Sequence, residues 1–398
     1  MQPGEVQPDP DVGHDIGHYA RAMSDTATPD GPGETHAPKT TVDRSAYAPG
    51  LTRWFEQRGD GRRDIEVSGV DIPMATGFSN ETAFFELEWR DDDGAHHGRF
   101  VARIEPGTGP LFPPQTAAAS VSVGLQYRIM ATVREHGIPV PPVVDYEPGS
   151  SVLGNPFFVM EFVDGVIPSD TPRYSQAGFI VDEATPQERE RMVRTGLEAM
   201  AAIHAIDWRT AGLEWLDASA DGNPTQADQL RLYRSWVDHH LAGRPHPVLD
   251  RALDWLSAND PHDERIGLSW GDSRLGNIIW KDYTPAAVVD WEACSLSPGE
   301  ADLGWWLMFD RMSFDDLGAS RPEGFPTREE MVTMYEEASG REVRHPGYWE
   351  VFGAMRFCAI MIPLGDRMVA AGLMPAEASM AVENDVTAAV ARMLDQFG

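Results

Sequence analysis

The apolar period of this chain changes once, and that change restricts its architecture more than any other feature. In "ETAFFELEWR", Ala83, Phe85, Leu87 and Trp89 fall on alternate positions, and Phe100, Ala102 and Ile104 do the same in "RFVARIE". A period of two puts such side chains on one face of a strand, with Arg103 left on the other, and the "DDDG" between the segments supplies a turn. "NPFFVMEF" reads as a further strand. After Gly165 the spacing becomes three and four, the period of helices with one buried stripe. Thr185, Pro186 and Glu188 form an N-cap, a proline at the first helical position and a capping-box glutamate, and Val193, Leu197, Met200 and His204 follow on one face. Helical patterns recur at 226–242, 247–258, 301–312, 327–338, 346–362 and 376–396. The first half carries only a short helix in "PGLTRWFEQRG" and one over 116–136, which Gly137 and "IPVPP" close. The expected architecture is α+β: a small antiparallel-sheet lobe over 46–163, then a larger, mainly helical lobe over 164–398. Residues 1–45, rich in Pro, Gly, Asp and Thr and lacking any apolar period, are expected to form a disordered tail.

Several function classes fall away on composition. A formal charge of −31 opposes binding to nucleic acid, which needs a basic face. No run approaches the roughly 20 apolar residues needed to span a bilayer. The first twenty residues lack both the basic start and the apolar stretch of a secretory signal. The two cysteines, Cys294 and Cys358, therefore read as reduced packing residues of a cytoplasmic protein. No G-x-S-x-G elbow or histidine-rich metal motif is present to indicate a hydrolase.

The chemistry concentrates in residues 268–292, "LSWGDSRLGNIIWKDYTPAAVVDWE". Two apolar runs can pair as a hairpin through "KDYTP", which returns Asp290 to the neighbourhood of Asn277. An amide oxygen and a carboxylate that meet this way suit a hard cation such as Mg2+. Asp272, five residues before Asn277, stands where it can receive a proton from a substrate hydroxyl. These are the parts that phosphoryl transfer from a nucleotide requires. A plain structural alternative is a turn built by Asp272 and Asn277 and a strand capped by Asp290.

"WGDSRLGN…VVDWE" resembles the catalytic signature of the aminoglycoside phosphotransferase superfamily, a protein-kinase-like group. The likeness is nearest to actinobacterial members and to the kinase domain fused to some acyl-CoA dehydrogenases. It extends over about 50–395 through "GFSNET", "VARIEP", "GNPFFVMEFVDG", "MAAIHAIDW", "LDWLSANDP" and "SPGEADLGWW". The resemblance implies a protein-kinase-like fold, with ATP and Mg2+ as cofactors and a hydroxylated small molecule as acceptor. It implies that Asp272 is the catalytic carboxylate and that Asn277 and Asp290 hold the metal. It further implies that Gly77, Ser79 and Asn80 cover the phosphates, and that the segment from Met160 to Val163 is the hinge. There, the Glu161 carbonyl and the Val163 amide would read the adenine edge. His204 and Asp302 would brace the catalytic loop.

Two positions depart from the family pattern. Trp270 stands where many members carry histidine, and Arg103 stands where kinases often use a strand lysine; lysine occurs only at 39 and 281. Arginine keeps the charge with a forked geometry, and Gln126 is its expected helix partner. Trp270, and Gln126 where relatives often show glutamate, leave open a nucleotide-binding pseudokinase as the alternative to an enzyme. For the acceptor, Asp310, Asp315, Asp316, Trp305, Trp306, Tyr348, Trp349 and Arg356 are candidate lining residues. The acids would fit an aminoglycoside, whereas the aromatics with Met308, Met355 and Met361 would fit a hydroxyacyl compound; helix packing is the competing explanation for most of them.

Overall fold

A computed structural model describes residues 43–73, 80–105, 107–262, 265–375 and 380–397. The tail ascribed to 1–45 lies outside these, apart from its last three residues. There Asp43 caps a 3-10 turn, Arg44–Ala46, and Arg44 and Tyr47 both donate to the Glu81 carboxylate, at 2.8 and 2.7 Å.

Helix α1 (Tyr47–Gln57) is followed by strands β1 (Arg63–Asp71), β2 (Glu81–Arg90) and β3 (Ala95–Ile104), helix α2 (Val123–Glu135), and strands β4 (Val143–Glu147) and β5 (Phe157–Glu161). The strands form one antiparallel sheet in the order β1-β2-β3-β5-β4. Alternation in β2 and β3 sends Phe85, Leu87, Phe100, Ala102 and Ile104 against Leu51, Trp54 and Phe55 of α1. The opposite face is buried as well. Phe84, Val101 and Phe158 pack with Ile129 and Met130 of α2, so the single buried face expected for β2 is corrected to two. The helix expected from 116 begins at Val123 instead, because the Ser122 hydroxyl accepts from the Leu125 amide at 3.1 Å and fixes the N-cap there.

The second lobe contains α3 (Phe179–Asp182), α4 (Pro186–His204), α5 (Gln226–Leu241), α6 (Pro247–Ala258), β6 (Ile266–Ser269), β7 (Ile278–Lys281), β8 (Thr284–Val288), β9 (Ser295–Pro298), α7 (Glu300–Phe314), α8 (Arg328–Ser339), α9 (Pro346–Ala370) and α10 (Asp385–Phe397). The capping box at Thr185 is present as the sequence indicates. Helix α9 does not stop before Pro363. Burial of Ile360, Met361, Ile362 and Leu364 on both sides of the proline offsets the lost backbone bond, a cost of about 3 kcal/mol. The last helix starts at Asp385 rather than 376; residues 376–379 fall outside those described. Helices α5, α6, α7, α9 and α10 share one apolar core. A second core joins α4 and α8 to the hairpin and to the first lobe's sheet.

Two short ribbons carry the 268–292 segment. Strand β6 pairs with β9, and β7 pairs with β8 across a turn in which Asp282 and Tyr283 both have positive φ. The link between lobes is stitched to that hairpin, because Val166 and Trp280 exchange two backbone hydrogen bonds of 2.8 Å. Gly165 is needed at this junction, since a Cβ there would lie 2.6 Å from the Trp280 carbonyl oxygen. The fold is the α+β, protein-kinase-like arrangement expected from the sequence. Both cysteines are free and buried.

Candidate active site

Asp272, Asn277 and Asp290 come together as the hairpin geometry anticipates. The Val289 amide donates to the Asn277 carbonyl at 3.0 Å, closing the hairpin beside Asp290. The Asn277 side-chain amide donates to the Asp272 backbone carbonyl at 2.9 Å, so its nitrogen is committed to the loop. Its oxygen is the remaining donor atom for a cation. Asp290 occupies the left-handed region (φ 58, ψ 62), which aspartate tolerates better than most residues, at the start of the turn Trp291–Ala293.

Arg103 reaches the site from β3. Its guanidinium donates to the Asp290 Oδ1 at 2.7 Å and to the Thr82 Oγ1 at 2.7 Å. This corrects the expected pairing with Gln126, which is buried with its side-chain nitrogen unbonded. A carboxylate on the hairpin holds the cation where a helix amide was anticipated. The same aspartate is thus shared between a cation already present and any metal ion. An oxygen-only set of one carboxylate and one amide carbonyl fits a hard divalent ion that takes its remaining ligands from phosphates and water. Among the described residues, no group of three or more His, Cys, Asp or Glu side chains forms a separate metal site.

The other nucleotide-side expectations divide. Gly77 and Ser79 lie outside the described residues. Asn80 is buried and donates to the Glu292 carboxylate at 3.0 Å, so this amide group ties its loop to the turn after Asp290. That contact engages one N–H of the side-chain amide expected to help cover the phosphates. At the hinge, Met160 pairs with Val101 and Val143. The Glu161 amide donates to the Pro142 carbonyl at 2.8 Å and the Phe162 amide to the Arg99 carbonyl at 2.9 Å. Among the described residues the Val163 amide makes no backbone hydrogen bond, so it is available to a planar ligand edge.

The loop bearing Asp272 is held by Asp302, at the start of α7. Its Oδ1 accepts from the Ser269 hydroxyl (2.9 Å) and the Gly271 amide (2.8 Å). Its Oδ2 accepts from the Trp270 amide (2.7 Å) and lies 2.9 Å from the His204 Nε2. Burial opposes ionisation of Asp302, but the bonds from His204 and Gly271 and the charge of Arg356 outweigh it and hold the carboxyl below its ordinary value. An ionised Asp302 requires the proton on the His204 Nε2, and the Nδ1 lies 2.7 Å from the Tyr335 hydroxyl. Gly271 adopts φ 93, and a Cβ there would sit 2.1 Å from the Ala293 carbonyl oxygen. Only glycine fits immediately before Asp272.

Trp270 braces the same loop. Its indole nitrogen donates to the Val289 carbonyl at 2.9 Å and ties the Asp272 loop to the residue before Asp290. Asp272 itself accepts from the Trp305 Nε1 at 2.8 Å, and the Arg274 Nε stands 3.3 Å from the same oxygen. Burial raises the Asp272 pKa; Arg274 lowers it and Asp290 raises it further. Arg274 also donates to both oxygens of Asp170, at 2.8 and 2.7 Å. Sequence reasoning did not single out Arg274, although its position two residues after Asp272 was a visible signal. Trp305 as a partner of Asp272 was not visible, because 33 residues separate them.

The anticipated acceptor wall is corrected. Trp305, Trp306, Tyr348, Trp349, Arg356, Met308, Met355 and Met361 are all buried within the helical cores. Asp310 is buried against Arg321 with two bonds of 2.9 and 2.7 Å, Asp315 pairs with Arg328, and Asp316 pairs with Arg392. Each of the three acids is matched by an arginine. The competing explanation, core packing and ion pairing, accounts for this group apart from Trp305 and Arg356, which bond to Asp272 and to the Gly271 carbonyl.

With the geometry in place, the sequence profile of the Phosphotransferase enzyme family matches residues 72–340, well over half of the chain. The chain belongs to that family. Phosphoryl transfer is therefore its class of chemistry. Acyl-CoA dehydrogenase family member 10 of Mus musculus is 29% identical over 270 residues, covering 65% of this chain and 23% of that protein. Acyl-CoA dehydrogenase family member 11 of Homo sapiens is 26% identical over 268 residues, covering 65% and 32%. The matched segment thus spans about a quarter to a third of these relatives' length. Among solved structures, a Ralstonia eutropha protein provisionally assigned as an aminoglycoside phosphotransferase has a TM-score of 0.60 at 20% identity, covering 87% of this chain and 95% of that one. An aminoglycoside phosphotransferase in ternary complex with ADP and hygromycin B has a TM-score of 0.53 at 12% identity, covering 87% and 98%. These likenesses support the fold. Among the described residues no helix is long and apolar enough to cross a membrane.

Proposed function

We propose that the protein transfers the γ-phosphate of ATP to a hydroxyl of a small molecule. The observation that carries this reading is the convergence of Asp272, Asn277 and Asp290 on one hairpin, with Arg103 reaching the same carboxylate from the opposite lobe. The acceptor oxygen forms the new bond to γ-phosphorus, Asp272 receives the hydroxyl proton, and the bond to the β-phosphate oxygen breaks to release ADP. Asn277 and Asp290 would hold Mg2+, which when bound neutralises phosphate charge. Arg103, poised between Thr82 and Asp290, would turn toward the phosphate oxygens. The Glu161 carbonyl and the Val163 amide would receive the adenine edge. A fold neighbour solved with ADP, an aminoglycoside phosphotransferase, supports a nucleotide as ligand.

The pseudokinase alternative rested on Trp270 and Gln126. The Trp270 indole supplies a loop-bracing bond, and Arg103 finds its partner in Asp290, so neither substitution argues for inactivity. For the acceptor, the arginine partners of Asp310, Asp315 and Asp316 remove the local acidic patch that a polyamine sugar would seek. An acceptor without several positive charges fits these neutralised acids better than an aminoglycoside. Incubation with γ-labelled ATP and panels of sugars, aminoglycosides and hydroxyacyl compounds tests this. Labelled phosphate on a hydroxyacyl or neutral acceptor is the expected result, and selective labelling of aminoglycosides would reverse the acceptor assignment. No transfer to any panel, with Mg·ATP still bound, would favour the pseudokinase.

Arg103→Ala is expected to weaken Mg·ATP binding by about 10- to 100-fold, the loss of charge-assisted bonds to phosphate, while leaving the fold intact. Calorimetric titration checks it. Unchanged affinity would remove Arg103 from the nucleotide site.

A further inference from the structure

A contact that holds the Asp272 side chain in place comes from Trp305, which the sequence suggested only as an acceptor-lining residue. Trp305 lies one turn into α7, is 1% exposed, and donates its indole N–H to the Asp272 Oδ1 at 2.8 Å. The indole is itself fixed on two sides. Phe309 and Phe357 pack at 5.4 and 5.8 Å between ring centroids. On another side the guanidinium carbon of Arg356 stands 4.7 Å from the ring centre. Arg356 is 3% exposed, and instead of a carboxylate its bonds go to the Tyr233 hydroxyl at 3.0 Å and the Gly271 carbonyl at 2.8 Å. Gly271 is therefore clamped at both ends of its residue, its amide by Asp302 and its carbonyl by Arg356. One buried cation thus orients both the backbone before the base and the ring that grips the base.

We propose that Trp305, seated by Arg356, is the positioning residue for Asp272: its N–H occupies Oδ1 and turns Oδ2 toward the acceptor hydroxyl. This rests on the reading of Asp272 as the base. Arg274 also approaches Oδ1, at 3.3 Å, and the Asn277 amide also bonds the carboxyl; neither the Trp305 nor the Arg274 contact uses Oδ2. A carboxylate with one oxygen anchored loses rotational freedom before the reaction begins, so less of the barrier is spent on orientation.

Trp305→Phe deletes the donor and keeps an aromatic ring for Phe309, Phe357 and Arg356. With Mg·ATP as substrate and water as acceptor, kcat is expected to fall by about 10- to 100-fold while the calorimetric Kd for Mg·ATP stays within about twofold. In an Asp272→Asn background the same substitution should add no further loss, because its effect acts through the carboxylate. Full kcat in Trp305→Phe, or losses that simply multiply in the double variant, would overturn the proposal. If Asp272→Asn alone keeps full turnover, the base assignment fails instead, which separates the two readings. Should Trp305→Phe not fold, the Trp305 indole resonance of the 15N-labelled protein is expected to move upfield in Asp272→Ala, which removes the acceptor oxygen. A resonance that stays in place would count against the bond.

Discussion

Asp272→Asn is expected to reduce phosphoryl transfer by about 10²- to 10⁴-fold, the usual range for loss of a positioned proton acceptor, while Mg·ATP still binds. The substitution keeps an oxygen to accept from Trp305 and a volume that the loop already accommodates. It also removes a carboxyl whose pKa burial raises in the folded state. A carboxyl that binds its proton more tightly when folded costs stability at pH above that raised value, and the cost disappears as pH falls through it. Asp272→Asn, assayed without metal at neutral pH, should therefore be as stable as the parent or more so. Loss of turnover together with lost stability would mean that the side chain is structural, and unimpaired turnover would exclude it as the base.

Asp302→Asn is expected to act in the opposite sense, destabilising the protein by about 3–5 kcal/mol. The carboxylate accepts from Ser269, Trp270 and Gly271 and faces the His204 ring, so an amide would bring its own donors against donors already in place. Asp302 lies below its ordinary pKa, so its stabilising contribution is complete above that ordinary value and is lost as pH falls through the lower folded one. Urea unfolding at neutral pH and near pH 3 checks both statements. The gap between parent and variant should be large at neutral pH and shrink in acid. Equal stability at neutral pH would remove Asp302 as the support of the loop.

The parts of this site that share one short stretch of chain were legible in the sequence. Asp272, Asn277 and Asp290 lie within 19 residues, and the apolar runs between them determine the hairpin that returns Asp290 to Asn277. The period of two in β2 and β3 likewise placed Arg103 on the strand face opposite Phe100, Ala102 and Ile104, from which it reaches Asp290. What connects distant segments was not legible. The partner of Arg103 is 187 residues away, Asn80 meets Glu292 across 212, and Asp272 meets Trp305 across 33. Each choice depends on how the lobes and α7 pack, which no local pattern encodes. The acceptor wall failed for a related reason. Aromatic and methionine side chains at helical spacing serve a core as readily as a pocket, and burial assigns them to the core. Acidic residues on α7 and just after it suggested a cationic ligand, but their arginine partners sit 11 or more positions away in sequence.

Calorimetric titration of ATP with and without Mg2+, in the parent and in Asp290→Asn, tests the central claim most directly. Tighter ATP binding with magnesium in the parent, with most of that gain lost in the variant, is the predicted result. An ATP affinity indifferent to magnesium, or a magnesium effect untouched by Asp290→Asn, would contradict it.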